Sequence, residues 1–234
     1  MIRTLLAAVL LALPSAALAQ AASCIVPDVL PDVRAEAPPP AEIRKVPVTG
    51  YLLSLSWSPQ YCRDKRSGAL DTDQCGKDVR FGFVLHGLWP EGDRQVDPAW
   101  CGEAKPIDAG LIKQHFCMTP SVRLLQHEWG KHGTCMADKP DRYFRAASIL
   151  YSAVRFPDMD VLSRRGVTAG AFAAEFARVN SGLKPAMLSI VTTPGNWLKE
   201  VRICMDMAFK PRACPRGEPT APPKRRLNIW RDER

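Results

Sequence analysis

Apolar and polar side chains alternate over Leu53-Ser54-Leu55-Ser56-Trp57, inside a run (51–57) that stops at Ser58-Pro59. A period of two puts alternate side chains on opposite faces, so this run is expected to be a strand. FGFVLHGLW (81–89) reads the same way and is bounded by Pro90-Glu91-Gly92. Further on the period changes. Tyr143, Phe144, Ala147, Leu150, Tyr151 and Val154 fall at helical spacing within 141–156, as one face of a helix requires. Thr168 stands where a hydroxyl can cap a second helix, AGAFAAEFARVN. MLSIVTT (187–193) and LKEVRICMDMAF (198–209) flank Pro194-Gly195-Asn196, which is turn chemistry for a hairpin or meander. Strands and helices are both present without a regular βαβ alternation, which favours an α+β fold.

The ends of the chain follow other patterns. Arg3 precedes an apolar run from Leu5 to Leu13, and small residues then lead to Ala17-Leu18-Ala19. This is the layout of a secretory signal peptide over residues 1–19, cut before Gln20. Its roughly ten apolar residues fall short of the ~18 that a spanning helix needs. A lipoprotein reading, with Cys24 lipidated, is weaker because Ala21-Ala22-Ser23 lacks a leucine three residues before the cysteine. No other apolar run is long enough to span a bilayer, so no membrane span is expected. Residues 20–48 are expected to form a proline-rich N-terminal linker, and 216–234 a basic C-terminal tail. Between them, 49–215 has the length of one domain with a sizeable core.

Charge and cysteines narrow the setting. The whole chain carries +8, and loss of residues 1–19 removes only Arg3, leaving +7. A basic exported protein has nucleic acid and membrane surfaces as natural anionic partners, although ordinary solubility charge accounts for the excess equally well. In an oxidising compartment, whether periplasm or exterior, eight cysteines read as four disulfides. The absence of any CxxC pair argues against a zinc ribbon or a redox motif.

Three of the four histidines fall in two short segments, His86 in LHGLWP and His127 with His132 in HEWGKH. Imidazole exchanges protons near neutral pH, so the cluster points to acid–base work. Gly87, where a strand is expected to end, leaves room for a substrate to approach the backbone. HEWGKH is close to the zinc-binding HExxH pattern, but its second histidine is one residue late. At about 100° per residue, His127 and His132 diverge by about 140° on a helix, a poor geometry for sharing one metal. Around the wheel the order is His127, Lys131, Glu128, His132, a polar fan able to surround an anion. The ammonium within it would repel a divalent cation. The pattern suits a phosphate.

Phe83-Val84-Leu85-His86-Gly87-Leu88-Trp89-Pro90 and His127-Glu128-Trp129-Gly130-Lys131-His132-Gly133-Thr134-Cys135 together closely resemble the paired signatures of the ribonuclease T2 family. The resemblance extends over 51–214 and is looser outside the two motifs. It implies an α+β fold with a central antiparallel β-sheet packed with several helices and stabilised by disulfides. It also implies an endoribonuclease that needs no metal and no cofactor, cleaving single-stranded RNA through a 2′,3′-cyclic phosphate to a 3′-phosphate. His86 and His132 would then be the acid–base pair, with His132 as base and His86 as acid. His127 would contact the phosphate, and Glu128 and Lys131 would stabilise the transition state. A 2′-hydroxyl is required, so DNA should not be cut.

Trp89, three residues after His86, is the candidate base-stacking platform, with Glu91 beside it where many relatives have aspartate. Trp57 and Trp129 read as core, and His115 as structural or surface. The resemblance supports Cys101–Cys135 most strongly. Cys62–Cys75 and Cys204–Cys214 would close short loops, and Cys24–Cys117 follows by elimination. In the tail, Lys224 to Arg234 carries five Lys/Arg with Trp230 among them. It is either an RNA-tethering arm or a disordered or surface-docked end with Trp230 packed on the domain. The expected protein is an exported monomer, periplasmic or secreted, acting on single-stranded RNA. An inactive RNA- or partner-binding scaffold and a zinc hydrolase are the competing readings.

Overall fold

The computed structural model describes residues 23–65, 72–93 and 96–231, so the expected export signal lies outside the described residues. The alternating run at 51–57 forms strand β1 (Gly50–Trp57), and 81–89 contributes to β2 (Phe83–Glu91). Two short strands, β3 (Val167–Thr168) and β6 (Arg226–Leu227), pair with each other. The expected hairpin is β4 (Leu188–Thr193) and β5 (Trp197–Met205). Its turn holds Gly195 at φ 82° and Asn196 at φ 61°, the left-handed region that glycine and asparagine tolerate best. The main sheet is antiparallel throughout, in the order β2-β1-β5-β4.

Among the described residues seven α-helices accompany the strands: α1 (Ser58–Lys65), α2 (Thr72–Cys75), α3 (Ala109–His115), α4 (Val122–Lys131), α5 (Pro140–Ala153), α6 (Met159–Arg165) and α7 (Ala169–Arg178). Thr168 caps α7, its side chain accepting from the Ala171 N–H. The core forms where one sheet face meets the helices. Leu53, Leu55 and Trp57 of β1, Phe83, Leu85 and Leu88 of β2, and Val201 and Ile203 of β5 pack with Leu125, Trp129, Tyr143, Phe172 and Phe176. On the other face the same strands carry Ser54, Glu200 and Arg202, positions that alternate with the core residues.

The edge strand β2 breaks register. Ser54 pairs with Gly87 and Leu55 with Leu85, so His86 is an extra residue in a β-bulge. The outer edge of β2 is held by groups from outside the sheet. Leu85 N–H donates to Met118 O (2.9 Å) and Thr119 Oγ1 donates to Leu85 O (2.8 Å). Tyr143 of α5 donates its hydroxyl to Leu88 O at 3.1 Å and accepts from Leu88 N. Tyr151 donates to Phe83 O at 2.8 Å. These contacts satisfy backbone groups that an open edge would leave free.

Both terminal segments lie against the domain. Arg44 and Ala99 exchange backbone hydrogen bonds of 2.8 and 2.9 Å. At the other end Leu227 and Ile229 are buried, Trp57 Nε1 donates to Trp230 O at 2.7 Å, and the Arg63 guanidinium lies over Trp197 and Trp230. Four disulfides, Cys24–Cys117, Cys62–Cys75, Cys101–Cys135 and Cys204–Cys214, close sequence separations of 93, 13, 34 and 10 residues.

Because the unfolded chain loses more freedom when a longer loop is closed, the bonds should rank by separation. Replacing both cysteines of Cys24–Cys117 by serine should cost about 4–5 kcal/mol, against about 2–3 kcal/mol for Cys204–Cys214. Urea midpoints at constant slope measure the difference, and an inverted ranking would show that native-state contacts, not loop closure, set these contributions.

Candidate active site

Helix α4 begins at Ser121, whose hydroxyl accepts from the Leu124 N–H. Val122, Leu125 and Trp129 face the core, which turns His127, Glu128 and Lys131 towards the end of β2. The helix ends at Lys131. His132 is its C-cap and keeps one helical bond, donating its N–H to Glu128 O at 3.0 Å. Glu128 is buried, 3% exposed, and its carboxylate lies against Gly87. A Cβ at position 87 would overlap Glu128 Oε2. The space beside Gly87 is therefore filled by a catalytic-motif carboxylate and not left open for substrate.

Trp89 joins the two motifs. Its indole Nε1 donates to Glu128 Oε2 at 2.8 Å. Its ring stacks on His132 with centroids 5.5 Å apart and meets His86 edge-on at 5.0 Å. The Arg202 guanidinium lies over the same ring at 4.9 Å. A stacking base would have to share or displace these neighbours. Glu91 is also engaged, in an ion pair with Arg212 at 3.2 Å. His115 stacks on Phe144 in the interior, at 5.4 Å.

The two imidazoles have opposite surroundings. His86 lies between carboxylates: Nδ1 is 2.9 Å from Glu200 Oε1 and Nε2 is 3.6 Å from Glu128 Oε1. Burial disfavours its cation, but the hydrogen bond to Glu200 and the charges of Glu128 and Glu200 outweigh burial and the nearby Lys199, so its pKa is raised. For His132, burial and the positive charges of Lys131, His127, His86 and Arg44 act together, holding its pKa well below the ordinary imidazole value. Its Nδ1 is buried without a hydrogen-bond partner among the described residues, so an N–H there would find no acceptor. Burial raises the Glu128 pKa, against the opposing influence of His86, the Trp89 N–H, His127 and Lys131.

His127 lies farther along the wall. Its Nδ1 is 2.7 Å from Glu36 Oε2, and its ring meets Trp100 edge-on at 5.5 Å. Glu36, Arg44, Glu200 and Arg202 were not among the residues expected at the site. For the last two a signal exists, since LKEVRIC carries its glutamate and arginine two apart, on one face of a strand. For Glu36 and Arg44 the local sequence gives none. Among the described residues no group of three or more His, Cys, Asp or Glu is arranged to hold a metal ion.

Two bacterial ribonucleases are similar to part of this chain. A Haemophilus influenzae protein described as "Probable ribonuclease" is 39% identical over 125 residues, covering 49% of this chain and 46% of its own length. An Aeromonas hydrophila "Ribonuclease" is 39% identical over 100 residues, 43% of each chain. The matched segments thus span less than half of either bacterial relative. Among solved structures, an RNase-related protein from Calystegia sepium superposes with a TM-score of 0.61 at 20% identity, over 77% of this chain and 96% of that one. That likeness is one of fold. The sequence model of the Ribonuclease T2 family matches residues 48–214, which takes in β1, both histidine motifs and the β4–β5 hairpin; by that match, this chain belongs to the ribonuclease T2 family.

Proposed function

We propose that this protein is an exported, metal-independent endoribonuclease that cleaves single-stranded RNA by transfer to the 2′-hydroxyl. The observation that carries the reading is the opposed setting of two imidazoles around Trp89: His86 between carboxylates, His132 among cations. Such surroundings favour the protonated form of one and the neutral form of the other, which is what paired acid–base catalysis of a single displacement requires.

In this reading neutral His132 takes the proton of the 2′-hydroxyl as the oxygen attacks phosphorus. The bond from phosphorus to the 5′-oxygen breaks, and the proton on His86 Nε2 passes to that oxygen. The product is a 2′,3′-cyclic phosphate, which water opens to a 3′-phosphate with the two histidines exchanging roles. Lys131 and His127 supply positive charge to the phosphoryl oxygens as charge accumulates there. Glu128, next to His86 Nε2 and tied to Trp89, orients the acid and keeps it charged. Deoxyribose lacks the nucleophile, so DNA is not a substrate. Export to the periplasm or beyond is supported by the pattern of residues 1–19 and by four disulfides.

The pH profile follows from the signs. His132 must be unprotonated, and its lowered pKa puts the acid limb below 6.5. His86 must be protonated, and its raised pKa puts the alkaline limb above 6.5. Log kcat/KM against pH should therefore be bell-shaped with a plateau that includes pH 6.5. Limbs in the reverse order would exchange the roles of the two histidines.

His86→Ala and His132→Ala should each lower kcat by about 10²–10⁴, the usual contribution of a general acid or base. His127→Ala, Lys131→Ala and Glu128→Gln should retain more activity. Product ends mapped on a short RNA, with and without EDTA, test the chemistry. Cyclic phosphate formed equally in chelator supports it. Cleavage that stops in EDTA and returns with zinc would mean a metal hydrolase, and no cleavage of RNA at all would mean a binding scaffold.

A further inference from the structure

We infer that Glu200 is a positioning residue for the acid: it holds His86 by Nδ1, so that Nε2 is the nitrogen presented to the leaving oxygen, and Arg202 and Glu218 hold Glu200 in turn. The inference rests on the ribonuclease reading for the identity of the acid, but not for the contact itself.

Glu200 is 1% exposed, and a buried carboxylate is costly unless its lone pairs are used. Here they are. Oε1 meets His86 Nδ1 at 2.9 Å. Oε2 accepts from Arg202 Nη2 at 2.9 Å and Nε at 3.2 Å, and lies 3.4 Å from Ser54 Oγ. Arg202 Nη1 then donates to Glu218 Oε1 at 3.0 Å. A row of charges, Glu218–Arg202–Glu200–His86, runs from the surface to the reacting imidazole. It crosses three strands, since Ser54 on β1 pairs with Arg202 on β5 and with Gly87 on β2. The row serves poorly as a plain stabiliser, because a buried ion pair commonly adds little over well-packed apolar side chains. It does suit fixing one ring nitrogen as a donor, which decides the orientation of the other.

The groups facing His86 separate cleanly. Glu200 comes from β5 with Lys199 beside it, Ser54 from β1, and Glu128 and His132 from the end of α4. Glu128 approaches the Nε2 side, where substrate must arrive, whereas Glu200 touches only Nδ1. Losing Glu200 should thus alter the protonation and aim of His86 without removing a substrate contact. The raised His86 pKa and the Glu200 carboxyl, held down at about 2, agree with such a pair.

Two measurements test this. In Glu200→Gln the alkaline limb should move to lower pH by about 1–2 units, as for loss of one adjacent opposite charge. Above the limb each unit lowers the rate about tenfold, and the rate should recover towards acid pH with KM little changed. Glu200→Asp should return part of the shift. An alkaline limb that stays in place, or a loss of rate equal at every pH, would overturn the assignment. The second measurement uses the unmodified protein and depends neither on a variant folding nor on RNA cleavage. In ¹⁵N spectra neutral His86 should carry its proton on Nδ1 and should titrate above His132. A neutral form protonated on Nε2 would also overturn it. A protein with the expected tautomer that cuts no RNA would instead defeat the ribonuclease reading and leave the Glu200–His86 contact standing.

Discussion

One surplus residue in β2 decides which face carries His86. Leu85 and Leu88 both face the core, yet they are three apart, and a regular strand would turn one of them to the opposite face. The bulge absorbs the difference and puts His86 and Gly87 on the polar face, beside Ser54 and Glu200. A bulge loosens a strand, and this one is in an edge strand. The clamps fall on its two flanks: Met118 and Thr119 on Leu85, Tyr143 on Leu88. Helix α5, which packs into the core, thus also fixes the edge that carries His86.

Two imidazoles only a tryptophan apart could easily titrate alike. Burial lowers both, so it cannot separate them. Their neighbours do so, two carboxylates against one histidine and two full cations with two further imidazoles against the other. Each pKa unit of separation corresponds to about 1.4 kcal/mol. Trp89 makes the arrangement possible because its polar edge binds Glu128 while its ring covers His132. A smaller residue would leave Glu128 without its indole donor and His132 open to water, and the difference between the histidines would shrink.

What was legible in the sequence followed the range of the interactions concerned. Turn-bounded β-like runs placed β1 and β2, helical spacing placed α5 and the Thr168 cap placed α7, because each of these signs is local. Both histidine motifs are contiguous, so their membership could be read directly. Glu200 meets His86 across 114 residues, and Glu36 meets His127 across 91. Such pairings exist only after the strands have found their order. Composition likewise made the tail look uniformly basic and proline-rich. Leu227 and Ile229 are buried and Trp230 packs on Trp197 only once β3, β5 and α1 are present, so the choice between a docked end and a free arm is made by tertiary contacts.

The same dependence links a disulfide to His86. Cys204 is two residues beyond Arg202 on β5, and its bond to Cys214 turns the chain back along the sheet. Arg212 N–H then donates to Cys204 O and Cys214 N–H to Ala186 O, which fixes the path of the returning segment. Four residues later that segment delivers Glu218 to Arg202. Without a second carboxylate, Arg202 would have more than one lone partner's worth of donors in a nearly water-free place, and its hold on Glu200 would weaken. A covalent bond that closes only ten residues therefore has an effect beyond loop entropy. It places the outermost charge of the row that ends on His86 Nδ1.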